Sequence, residues 1–208
     1  MAREWGYTDL PNPCRGLRKN EETPRDFYAD AQVWDAVIES ASAELRDAME
    51  LAYLSGQRPD DVIRFSDQHV VNDTLRVRQG KTNKFLQIEL SDPVSGERSA
   101  LGLLIDQIRA RPVRGTKLLS NMDGTELTRG MLRTRFEAAR ESASSKAAMA
   151  GDMDLAERIR QFQFRDIRPK AASEIEDIKH ASKLLGHSEE RITRQVYRRV
   201  GERVKPTK

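Results

Sequence analysis

The apolar period changes twice along the chain, and this change constrains the fold more than any other feature of the sequence. Trp34, Val37, Ile38 and Ala41 fall at i, i+3, i+4 and i+7 behind Asp30, a natural helix cap. Leu45, Ala48, Met49 and Ala52 form a second such stripe behind Ser42, with Gly56 placed to end it. After a short helix expected near Asp60 to Phe65, the period becomes two. Leu75 and Val77 alternate with Arg76 and Arg78, and Leu86, Ile88 and Leu90 alternate with Gln87 and Glu89. Between them Gly80-Lys81-Thr82-Asn83-Lys84 makes the bend of an antiparallel hairpin. Helical spacing then returns with Leu101, Leu104, Ile105 and Ile108 after Ser99, and with Leu132, Phe136 and Ala139 after Thr128. Residues 142–153 are small and polar and are expected to form a weakly ordered loop or frayed helix end. The last third reads as helical: Asp166 to Glu174, then Ile178, Ala181, Leu184 and Leu185 closed by Gly186, then Ile192, Val196 and Val200. There is no internal repeat. The expected class is α+β, mostly α: a helical domain with one small antiparallel sheet or hairpin.

Composition narrows the setting. With 38% apolar residues in 208, the chain can bury a core, and residues 1–27, punctuated by Pro11, Pro13, Gly16 and Pro24, read as a linker ahead of a domain over 28–208. The sequence has no long apolar run and no signal-peptide pattern at its start, so it points to no membrane partner and to a cytoplasmic location. A single cysteine, Cys14, excludes an internal disulfide framework, and with three histidines a structural metal is not expected. The net charge is only +3, yet the 36 basic residues divide into 10 lysines and 26 arginines. Arginine presents a planar fork of donors that matches phosphate oxygens, so the bias favours a phosphate-rich partner.

Four places carry side chains suited to phosphate chemistry, each weak alone. In Ser55-Gly56-Gln57-Arg58-Pro59-Asp60-Asp61-Val62 a helix stops at glycine and Arg58 opens the next turn, where its fork can meet a phosphate near a helix N-terminus. Asp61 is placed to orient Arg58 or to satisfy local backbone N–H groups. Lys81 stands at the hairpin bend, where a long amine can deliver a proton to a leaving oxygen, although turn lysines are commonly just solvated. Arg165 and Arg168 lie three apart at a helix start and repel unless an anion sits between them. Leu184-Leu185-Gly186-His187-Ser188 is followed ten residues later by Tyr197, which lies about 100° round the helix from Val196, at the edge of the apolar stripe.

Taken in order, Gly-Gln-Arg-Pro-Asp-Asp-Val, the lysine of Gln-Gly-Lys-Thr-Asn-Lys, Arg-Asp-Ile-Arg, Leu-Leu-Gly-His-Ser and the late tyrosine resemble the catalytic domain of phage integrases, the tyrosine recombinases. The resemblance runs from about residue 28 to the C-terminus. It implies the tyrosine recombinase catalytic fold, with Arg58 and Arg168 as the two catalytic arginines, Lys81 as the hairpin lysine, His187 as the late histidine and Tyr197 as the nucleophile. It implies attack on one DNA strand to give a 3′-phosphotyrosyl link, Lys81 protonating the departing 5′-oxygen and His187 bonding the phosphate. The link conserves bond energy, so a free 5′-hydroxyl can reverse the step without ATP, metal or cofactor. The implied partner is double-stranded DNA at attachment or core sites, with a homo-tetramer on DNA in the full-length protein. Core-binding and arm-binding domains would precede the catalytic one in such a protein. The 208 residues therefore read as a catalytic fragment that binds DNA weakly and with strong salt dependence.

The chain departs from the family pattern at one place. Histidine is common three residues before the second arginine, where this chain has Arg165, and the residue after that arginine, often histidine, is Pro169. Arginine can donate to a phosphate but, always protonated, cannot act as a base. Any base role then passes elsewhere or is dispensable; the nearest candidate is His187, the only histidine inside a matching motif, since His69 and His180 have no motif around them. The alternative reading is a non-catalytic, DNA-binding regulatory module that keeps the integrase fold; a closer rival is a nicking and closing enzyme of the type IB topoisomerase kind.

Overall fold

Polar side chains start most of the helices. The computed structural model describes residues 3–11, 15–17, 25–187 and 189–193. Asp30 accepts from Val33 N at the start of α1 (Ala31–Ser40), and Ser42 Oγ from Leu45 N at the start of α2 (Ala43–Ser55). Gly56 closes α2 in the left-handed conformation that residues with a side chain avoid, and Pro59 opens the short α3 (Pro59–Val62). Ser99, Thr128, Asp152 and Asp177 cap α4 (Ala100–Arg109), α5 (Arg129–Met149), α6 (Met153–Gln161) and α8 (Ile178–Leu185). α7 (Ile167–Glu174) continues a 3-10 turn at Phe164–Asp166, and α9 (Glu190–Ile192) follows α8.

The period-two segment forms the expected hairpin, β2 (Thr74–Arg78) with β3 (Phe85–Glu89), in a register that pairs Leu75 with Ile88 and Val77 with Leu86. A two-residue strand, β1 (Val70–Val71), adds to β2 and makes the sheet three-stranded and antiparallel, in the order β1-β2-β3. Two residues are too short to show a period, so the sequence pattern carries no sign of β1. Leu75 and Val77 face the helices; α1, α2, α4, α5 and α6 close one continuous core around residues such as Leu45, Met49, Ile105, Phe136, Ile159 and Phe162. Phe162 stands at its centre, with the rings of Phe27, Trp34 and Phe136 within 6.5 Å.

The expectation for residues 142–153 was wrong. α5 runs unbroken to Met149 and turns at once into α6, against which it packs along its second half. Ala143, Ser144 and Ala147 are buried, and Ser144 Oγ donates to Ala156 O at 3.1 Å. Small side chains there allow two helices to approach closely; they do not loosen the chain. The packed body also takes in the end of the stretch read as linker. Arg25 donates from Nε and Nη2 to the buried carboxylate of Asp166, and Phe27 stacks on Phe162.

Candidate active site

Two left-handed glycines set the geometry of the site. Gly56 turns the chain out of α2 so that Gln57 is buried and Arg58 occupies the N-cap of α3. Gly186 turns it out of α8, and His187 follows, its N–H donating to Ser182 O at 3.0 Å. Between these turns lies Arg168, in the first turn of α7 and only 3% exposed. Its Nη1 donates to Gly56 O, its Nη2 to Leu185 O at 2.6 Å, and Nη2 lies 3.4 Å from His187 Nε2. A guanidinium has donors only, so this contact favours the tautomer in which Nε2 accepts and Nδ1, 2.7 Å from Thr193 Oγ1, carries the proton. Burial, followed by the positive charges of Arg168, Arg58 and Lys84, pushes the His187 pKa down to about 4. Arg58, Arg168 and His187 are thus gathered in one electropositive place. Arg58 Nη1 is buried with no hydrogen-bond partner among the described residues.

The hairpin is tied to this place from below. Asp61 does not orient Arg58: its Oδ1 accepts from Gly80 N at 2.9 Å and from Arg64, which joins α3 to the hairpin bend. Neither expected role is taken: the backbone N–H that Asp61 satisfies lies 19 residues away and is not a local one. Gln79 N donates to Lys84 O at 2.9 Å and Lys84 Nζ reaches His187 O at 3.4 Å, while Lys81 stands exposed at the tip. Arg165, in the 3-10 turn before α7, is exposed. Tyr197 lies outside the described residues. His180 is exposed on α8, and His69 caps its own turn by accepting from Ser66 N at 3.1 Å, so neither enters the site. Sequence reasoning missed Gln57, Gln79 and Thr193. Their signal was weak because each is uncharged and each has a partner distant in sequence or in backbone, or on His187.

Among the described residues no His, Cys, Asp and Glu side chains gather in a group that could hold a metal ion, and no helix is long and apolar enough to cross a membrane.

The chain is thus a mostly helical domain with a small antiparallel sheet that brings two arginines and a histidine together at helix ends. The phage integrase family model matches residues 28–203, and the chain belongs to that family. Its fold is that of the lambda integrase catalytic domain. It superposes on a lambda integrase (75–356) dimer bound to a COC′ core site with a TM-score of 0.70 at 19% identity, covering 100% of this chain and 71% of that one. Against the lambda integrase catalytic core the TM-score is 0.58 at 22% identity, covering 78% of this chain and 92% of that one. Against XerA recombinase it is 0.53 at 17% identity, covering 93% and 66%. The chain spans 57% of the subunit in a second lambda integrase dimer complex. No curated protein sequence matches it.

Proposed function

We propose that the chain is the catalytic domain of a site-specific DNA recombinase that cleaves and rejoins double-stranded DNA through a 3′-phosphotyrosyl intermediate, for integration or excision. The convergence of Arg58, Arg168 and a neutral His187 carries this reading. In-line attack on a phosphodiester gathers negative charge on the non-bridging oxygens, and fixed cationic donors stabilise it. Arg168 is already held by two carbonyls, and the buried Nη1 of Arg58 supplies a donor beside it. Arg165 adds charge from the surface. The Tyr197 phenol loses its proton, with His187 as candidate acceptor, and its oxygen bonds to phosphorus. The P–O5′ bond breaks and Lys81 gives a proton to the departing O5′. Reversal by a 5′-hydroxyl from another strand completes exchange. DNA-bound dimers and tetramers among the structural neighbours support a tetramer acting on paired sites.

The test is covalent trapping at low salt on a pool of nicked duplexes randomised across the core, resolved on a denaturing gel. A protein–DNA adduct that disappears in Tyr197→Phe is the expected result. DNA binding with no adduct would turn the reading to a non-catalytic module.

A further inference from the structure

We propose that Gln79 and Gln57 are positioning residues that set where Lys81 stands relative to the two arginines and His187; the proposal rests on the strand-cleavage reading of this site. Lys81 is exposed on a turn, and a flexible amine on a mobile turn is a poor proton donor because general acid catalysis needs the donor within hydrogen-bond reach of the leaving oxygen. Something must hold the turn. Asp61 fixes one corner of it through Gly80 N. The other corner is held by a buried amide pair.

Gln79, only 1% exposed, is the last residue before the bend. Its Nε2 donates to Gln57 Oε1 at 2.7 Å and to Leu185 O at 2.9 Å, and its Oε1 accepts from Thr82 Oγ1 at 2.6 Å, inside the bend itself. Gln57, also 1% exposed, sends its Nε2 to Ser55 O at 2.9 Å and Leu184 O at 2.8 Å. The two side chains therefore join three backbone segments at the C-terminal end of α8. One carries Arg58 next to Gln57, one carries Lys81 two residues after Gln79, and one carries His187 two residues after Leu185. Leu185 O also accepts from Arg168 Nη2, so a single carbonyl is shared by the hairpin and the second arginine. Helix carbonyls at a C-terminus have no partner in their own helix, and here those of Leu184 and Leu185 serve as the common anchor.

These amides touch no reacting atom in this arrangement; they act through Lys81. That role separates them from a merely structural one, because it predicts a dependence on the leaving group. An alkoxide leaving from phosphorus needs a proton, whereas a thiolate, the conjugate base of an acid with a pKa near 8.5, leaves without one. The experiment compares the rate of Tyr197 adduct formation by the full 208-residue chain on one duplex selected from the trapping pool and on the same duplex with a bridging 5′-sulfur at the scissile phosphate. Gln79→Met keeps the side-chain volume and removes the amide. Thr82→Val loosens the same amide from an exposed position and so keeps the test valid if Gln79→Met folds poorly; melting curves report folding of both. A displacement of the general acid of about 1 Å costs on the order of 10²-fold, so Gln79→Met should be about 10²-fold slow with oxygen and Thr82→Val several-fold slow. With sulfur both should come within about threefold of the unsubstituted chain, as should the Lys81→Ala control. Equal slowing on both duplexes, or none on either, would overturn the positioning role. If the unsubstituted chain forms no adduct on either duplex, the strand-cleavage reading itself fails, and the proposal with it.

Discussion

A methyl group placed on Gly186 should cost more stability than the same group on Gly56, and the difference measures how firmly Gln79 is held. Both glycines have positive φ, 66° and 64°, so alanine at either carries left-handed strain of about 1–2 kcal/mol. Their surroundings differ. A Cβ on Gly56 would meet Leu184 at 3.3 Å, a half-buried side chain able to give by a few tenths of an ångström. A Cβ on Gly186 would stand 2.9 Å from Gln79 Nε2 and 3.0 Å from its Oε1, and must displace that amide. Displacement breaks the bonds to Leu185 O and Gln57 Oε1, worth about 1 kcal/mol each. Gly186→Ala should therefore cost about 3–4 kcal/mol against about 1–2 for Gly56→Ala. In a chain of this size the larger cost lowers Tm by roughly 6–16 °C. Urea denaturation gives both values, and repeating Gly186→Ala in a Gln79→Ala background isolates the contact. There the cost should fall to the strain alone, about 1–2 kcal/mol. An unchanged cost in that background would refute the argument.

The remaining predictions concern charge and packing. His187 is held neutral in the fold with its pKa near 4, below the ordinary value of 6.5, so the stability this gives is fully present above about pH 6.5 and is lost as pH falls toward 4. The urea midpoint of the native chain should accordingly drop more between pH 7 and pH 4.5 than that of His187→Gln, and the His187 ring resonance should titrate near pH 4 by NMR. Arg25→Ala removes the bidentate partner of Asp166, which is 1% exposed; since Arg25 itself is partly solvated, the loss should be about 1–3 kcal/mol by chemical denaturation. Phe162→Ala empties the centre of the ring cluster and should cost about 3–5 kcal/mol, read the same way. Arg168→Lys gives up the fork that spans Gly56 O and Leu185 O, and adduct formation should slow by about 10²-fold or more in the trapping assay.

The elements of the fold that sequence shows are those set by local rules. Asp30, Ser42 and Thr128 are visible as caps because a cap and its helix are adjacent in the chain, and the hairpin is visible because its alternation is sustained over five residues on each strand. β1 and the length of α5 were hidden for different reasons. β1 exists only through its pairing with β2, and the alanines and serines of α5 look loose until a second helix covers them. Arg58, Arg168 and His187, which the fold brings together, stand in the motifs that carry the family resemblance. The roles of Gln57 and Gln79 were not legible, because an uncharged amide gains its meaning from the carbonyls of Leu184 and Leu185, more than a hundred residues further along. Asp61 was legible as a supporting residue, but not its partner Gly80.

The placement of Arg168 accounts for how a cluster of cations can exist before any phosphate arrives. Two buried or half-buried arginines and a nearby lysine repel one another, and their field adds to the burial that chiefly keeps His187 from protonating. Arg168 offsets part of that repulsion by binding Gly56 O and Leu185 O, which lie at the C-terminal ends of α2 and α8. The aligned peptide dipoles make such ends partially negative, so each acts as a fractional counter-charge. A carboxylate in the same position would neutralise the guanidinium fully and compete with an incoming phosphate for its donors. Helix ends orient the cation through partial charges, without placing a full negative charge at Gly56 O or Leu185 O. The same two helix ends carry Arg58 and His187 on the residues that follow, so the features that orient Arg168 also fix the distance between the groups that would meet the phosphate.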